Sequence, residues 1–101
     1  MSSLTDNTTS NQQMTELAIN LIKKTQIMQF QGNCQINIAV TKEPTDTKIR
    51  LTMFLNGRND SVYLYAFHEL KRNQEKARLA LDAFKKSDLE AFRLVEFNSY
   101  N

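Results

Sequence analysis

Residues 48–65 read Lys48-Ile49-Arg50-Leu51-Thr52-Met53-Phe54-Leu55-Asn56-Gly57-Arg58-Asn59-Asp60-Ser61-Val62-Tyr63-Leu64-Tyr65, and this stretch decides the fold. Apolar side chains alternate with polar or aromatic ones on both sides of Asn56-Gly57. A period of two is that of a strand with one buried face. Asn-Gly is what a two-residue type I′ turn demands, because both of its central residues need positive φ. With that loop, Leu55 opposes Arg58, Leu51 opposes Val62 and Ile49 opposes Leu64, so the apolar sides coincide as a core requires. The other side then sets Thr52 by Ser61, Arg50 by Tyr63 and Lys48 by Tyr65.

Outward from the hairpin, Cys34, Ile36, Ile38 and Val40 alternate with Gln35, Asn37 and Ala39 as a third strand. Thr41 to Thr47 is read as a turn, since Pro44 cannot continue a central strand. Further upstream, Ser10 and Gln13 have capping-box spacing ahead of Met14, Leu17, Ala18, Leu21 and Ile22, an apolar helical face. Lys23 and Lys24 suit the end of that helix, and Gly32 is its expected stop. Gln26 to Phe30 fits a helix end or a short strand equally. Downstream, Ala77, Ala80, Leu81 and Phe84 form the stripe of a second helix that Lys85 and Lys86 close. Ser87 with Glu90 is read as a second capping box, starting a short helix from Asp88 to about Phe97 that presents Leu89, Phe92 and Val95. A strand through residues 93–97 is the rival reading. The expected fold is α+β in the order αβββα: a three-stranded antiparallel sheet, helices packed on one face, and a short C-terminal helix.

The 101 residues suffice for one domain, and 41% hydrophobic with 24% charged residues is ordinary for a folded protein. Residues 1–10, mostly Ser, Thr, Asn and Asp, are expected to be a flexible tail, leaving 11–101 as a single domain. No apolar run approaches the length of a membrane span, and Met1 to Asp6 have neither the basic nor the apolar segment of a secretory signal. With one free cysteine, Cys34, these features predict a cytoplasmic protein. Thirteen Lys and Arg against eleven Asp and Glu give a net charge of +2, so any charged partner has to be met by a local cluster.

Candidate chemistry is sparse. Cys34 and His68 are the only conventional nucleophile and base, with no third group to orient them. One Cys and one His cannot build a zinc site, and Glu43, Asp46 and Asp60 lack the spacing of a calcium loop. Neither an enzyme nor a cofactor is expected. Two surfaces carry more. The polar face of the hairpin, with Lys48, Arg50, Phe54, Tyr63 and Tyr65, combines cations with aromatic rings. Such pairs stabilise a hairpin by cross-strand contact, and they are also enriched where proteins bind partners. The second helix carries Lys71, Arg72, Lys76, Arg78, Lys85 and Lys86, interrupted by Glu75 and Asp82. Such a run is either a solvated helix face or a phosphate-facing one.

Ile49-Arg50-Leu51-Thr52-Met53-Phe54-Leu55-Asn56-Gly57-Arg58 resembles the second strand and hairpin of the double-stranded-RNA-binding domain. Ala77 to Phe84 resembles that family's Ala/Leu-rich helix end, and the resemblance runs from about Met14 to Phe84. It implies the same αβββα order, with Lys71, Arg72 and Lys76 standing for the lysines that grip phosphates across a major groove. Tyr63-Leu64-Tyr65-Ala66 replaces the family's glycine-rich third strand, and Glu69 and Leu70 fall where it has lysines. Members without those lysines commonly bind proteins. The sequence therefore points to a non-catalytic inhibitor or adaptor that recognises a protein on the basic-aromatic sheet face. The alternative is an RNA-binding module using Lys71, Arg72 and Lys76.

Overall fold

The computed structural model describes residues 8–42 and 46–98. The chain runs α1 (Asn11–Gln26), β1 (Cys34–Lys42), β2 (Thr47–Leu55), β3 (Arg58–Tyr65), α2 (Leu70–Lys86), α3 (Leu89–Arg93) and α4 (Val95–Asn98). The three strands form one antiparallel sheet in the order β1-β2-β3. The hairpin register is the one its sequence dictates, with Leu51 on Val62, Arg50 on Tyr63 and Lys48 on Tyr65. Asn56 (φ 52°) and Gly57 (φ 82°) both take positive φ, the type I′ geometry.

Every helix buries its apolar side on the same sheet face. Met14, Ala18 and Leu21 of α1 meet Ile49, Leu51, Met53, Val62 and Leu64, together with Ala77, Ala80 and Phe84 of α2. Phe92 packs on Phe84 with ring centroids 5.2 Å apart, and Leu89 and Val95 complete that end of the core. The C-terminal segment is thus helical and joins the helix layer, so the strand reading of residues 93–97 is excluded.

Three local expectations are corrected. α1 stops at Gln26, where the Met28 N–H donates to the Thr25 carbonyl, well before Gly32; residues 27–31 form no strand. Ser87 does not cap α3. It ends α2 in the left-handed region (φ 49°), and its hydroxyl accepts from the Gln31 N–H, while Asp88 caps α3 by accepting from the Ala91 N–H. Thr9, placed in the tail by composition, is buried. Its N–H donates to the carbonyls of Ala66 and His68, and its hydroxyl bonds the His68 carbonyl and the Asn73 amide. A small hydroxyl side chain in a polar run can be drawn inside when the carbonyls at a strand end lack partners. Pro44 lies outside the described residues.

The two edges of the sheet differ. In a two-residue hairpin the flanking pair, Leu55 and Arg58, exchange hydrogen bonds, so alternate residues Ser61, Tyr63 and Tyr65 turn their peptide groups away from β2. Side chains meet them there. The Asp60 carboxylate accepts from the Ser61 N–H, Glu96 accepts from the Tyr63 N–H, and Lys76 and Asn73 donate to the carbonyls of Tyr63 and Tyr65. Asp60 is itself held by Arg93 at 2.8 Å. The outer edge of β3 is closed.

Candidate functional site

The sheet face turned away from the helices carries the most chemistry. Pairing puts three columns on it: Gln35, Asn37, Ala39 and Thr41 from β1; Lys48, Arg50, Thr52 and Phe54 from β2; Asn59, Ser61, Tyr63 and Tyr65 from β3. None of these side chains is acidic. The Thr52 and Ser61 hydroxyls bond across the strands at 2.9 Å in the middle of the face. Lys48 lies over the Tyr63 ring, its Nζ 5.7 Å from the centroid.

The tyrosines do not stand singly. Tyr63 and Tyr65 stack at 6.0 Å with planes 17° apart, and Phe67 continues the stack at 4.8 Å and 22°. His68 closes the column edge-on to both Tyr65 and Phe67. Phe67 is 57% exposed and Phe54, at the other end of the face, 41%. Burial pulls the His68 imidazole below its ordinary value, and the cations of Arg72 and Lys76 push the same way against Glu96. A neutral, planar ring therefore ends the ladder near neutral pH.

All five residues expected on this face, Lys48, Arg50, Phe54, Tyr63 and Tyr65, lie on it together. Phe67 and His68 extend it, and the sequence places neither of them on this face. The signal for Phe67 is the continued alternation of aromatic positions 63, 65 and 67; no such pattern marks His68.

The basic surface of α2 is reduced. Lys76 is not on the surface at all: it is fully buried, with Nζ on the Tyr63 carbonyl and 2.9 Å from Glu96 Oε1. Burial draws its ammonium below the ordinary value, opposed by Glu96. It cannot reach a phosphate. Arg78 is shared between Glu75 and Asp82 at 2.7 and 3.2 Å, as on an ordinary solvated helix face. Lys71 is exposed and Arg72 half-buried. The three cations of the proposed phosphate grip do not form one surface.

Cys34 sits at the hairpin end of the sheet, opposite Leu55, whereas His68 follows Tyr65, opposite Lys48. Those levels are seven residues apart along β2, or about 24 Å at strand rise, so the two never meet. Among the described residues no group of three or more His, Cys, Asp or Glu is placed to hold a metal ion, and no helix is long and apolar enough to cross a membrane. Comparison with family models, curated proteins and solved structures gives no match, so the role of the chain has to be argued from its own geometry.

Proposed function

We propose that this protein is a non-catalytic binding module, of the inhibitor or adaptor kind, that recognises an acidic surface of a protein partner on its open sheet face. The observation that carries this reading is the pairing of an aromatic ladder, Tyr63-Tyr65-Phe67, with a column of cations, Lys48 and Arg50, on a face to which the paired strands contribute no carboxylate among the described residues. Rigid aromatic side chains lose little entropy on docking, and tyrosine and arginine dominate the energetics of protein interfaces. The cations select carboxylates, and the rings take up apolar contact beside them.

Replacing Tyr63→Ala together with Tyr65→Ala is expected to weaken binding by at least about 2 kcal/mol, close to thirtyfold. The melting curve should move little, because Val62 and Leu64 still hold the core. A folded double variant that binds like wild type would overturn the reading. The partner itself is reached by pull-down with and without nuclease.

A second reading uses the same face. Near-parallel rings at these spacings also suit the stacking of unpaired bases of single-stranded RNA. Retention that disappears with nuclease, and affinity that falls steeply with salt, would favour that reading over a protein partner.

A further inference from the structure

The edge of β1 has none of the protection that closes β3. Lys48, Arg50, Thr52 and Phe54 spend their peptide groups on β1, which leaves the N–H and C=O of Cys34, Ile36, Ile38, Val40 and Lys42 facing outward. Among the described residues no hydrogen bond reaches these groups. The strand is nine residues long and carries no proline, no glycine and, from Cys34 to Thr41, no charge. Long, flat, apolar edges are what proteins normally blunt with charge, proline or a covering segment. Here one edge is sealed by four side chains and the other is left ready to pair.

Above that edge lies an apolar flank. Leu17, Asn20 and Lys24 of α1 line the cleft towards α2. At 100° per residue, Ile19 and Ile22 lie on the opposite side of the helix, over the β1 edge. They are 47% and 36% exposed, and Val40 of β1 is 39% exposed.

We propose that this edge is a homodimer interface: two copies pair β1 antiparallel about a two-fold axis at Ile38, joining two three-stranded sheets into one. The strand is complementary to itself in that register. Ile38 meets Ile38 of the second copy, Ile36 meets Val40, and Cys34 meets Lys42, each as a hydrogen-bonded pair. Because the axis stands perpendicular to the sheet, both helix layers fall on one side and Ile19 and Ile22 of the two copies approach each other. The only charge in β1, Lys42, ends opposite an uncharged residue, with the two lysines about 27 Å apart at opposite ends of the interface. A contact about 31 Å long and about 20 Å high, one strand and one helix layer, covers roughly 600 Å² per copy, at the lower end of specific interfaces. The dimer is therefore reversible. It also sets two aromatic ladders on one continuous face, although the pairing does not depend on what that face binds.

Light scattering of the full chain from about 1 µM to about 500 µM should show the mass rising from one chain to two. Val40→Pro removes an outward N–H without touching the β1–β2 ladder, and is expected to stay monomeric with an unchanged circular dichroism spectrum. Lys42→Cys places a thiol opposite the native Cys34 of the second copy, and mild oxidation should link two chains. The same two cysteines cannot close within one chain, since they are at opposite ends of one strand. That cross-link decides the matter even if Val40→Pro fails to fold. A wild type monomeric throughout, a dimer that a folded Val40→Pro leaves intact, or no cross-link from Lys42→Cys would each overturn the proposal. A monomer whose Ile36, Ile38 and Val40 amides are protected from hydrogen exchange would also overturn it, assigning the edge to another part of the same chain.

Discussion

Lys76 shows how far one residue can depart from its usual place. Lysine is almost never fully buried unless paired, and this one is held by the Glu96 carboxylate and the Tyr63 carbonyl. Together Lys76 and Glu96 meet both polar groups of the Tyr63 peptide, as a neighbouring strand would. Removing one member of a buried pair leaves the other uncompensated, at a cost of about 3–5 kcal/mol when both are dry. Glu96 keeps a third of its side chain in water, so Lys76→Met is expected to cost about 2–3 kcal/mol in a denaturant melt. The double variant Lys76→Met with Glu96→Gln should recover part of that loss, because no charge is then stranded. Equal losses from the single and double variants would mean that packing of the lysine stem, and not the ion pair, holds β3. Gly57 makes a different case. A Cβ built there meets nothing within 4 Å, so Gly57→Ala costs only the strain of a positive φ, about 1 kcal/mol. Gly57→Asn should cost clearly less, since asparagine tolerates the left-handed region.

Elements were legible where two independent signals agreed. The β2–β3 hairpin carried a turn dipeptide and two matched alternations: a slip of one residue would have moved Leu51 or Leu64 into water, and the two-residue turn fixes the rest. α2 was legible in its second half, where Ala77, Ala80, Leu81 and Phe84 keep helical period. Its first half was not, since Asn73 and Lys76 face inward from a stretch that reads as wholly polar. The reason is tertiary: the outer edge of β3 needs donors, and α2 passes beside it at those two positions. Composition has no means of marking a polar side chain whose partner is a strand edge. α1 ends at Gln26, and Gly32 takes its positive φ of 64° on the approach to β1 and not at the helix terminus. On the candidate face, alternation alone brought Lys48, Arg50, Phe54, Tyr63 and Tyr65 together. It missed Phe67 and His68 because they follow the strand's last residue, where backbone pairing ends but the stack of rings continues.

The whole molecule has two layers, and its acid response is set by two groups that flank β3 at its opposite ends. His68 has its pKa below the ordinary 6.5, chiefly by burial and then by the charges of Arg72 and Lys76. The unfolded chain therefore takes up a proton at His68 before the folded one does, and between the two pKa values it binds more protons. Stability rises with pH across that window: the contribution is complete above about 6.5 and is lost as pH falls through the folded value. Asp60 acts in the same direction lower down. Its hydrogen bond from Arg93 holds it below the ordinary 3.8, so its contribution is present above that value and lost as pH falls through the depressed one. Two acid steps are thus expected in urea midpoints measured from pH 8 downward, the first beginning near pH 6.5 and the second below pH 4. His68→Gln should abolish the first step and leave the second, while Asp60→Asn should leave the first and diminish the second, to which Glu75, also held below its ordinary value by Arg78, still contributes. Asp60 lies near the start of β3, tied to Arg93 of α3, and His68 lies beyond its end, edge-on to the aromatic ladder. A first step that survives His68→Gln would place the titrating group elsewhere and remove the reason for a neutral imidazole at the end of the ladder.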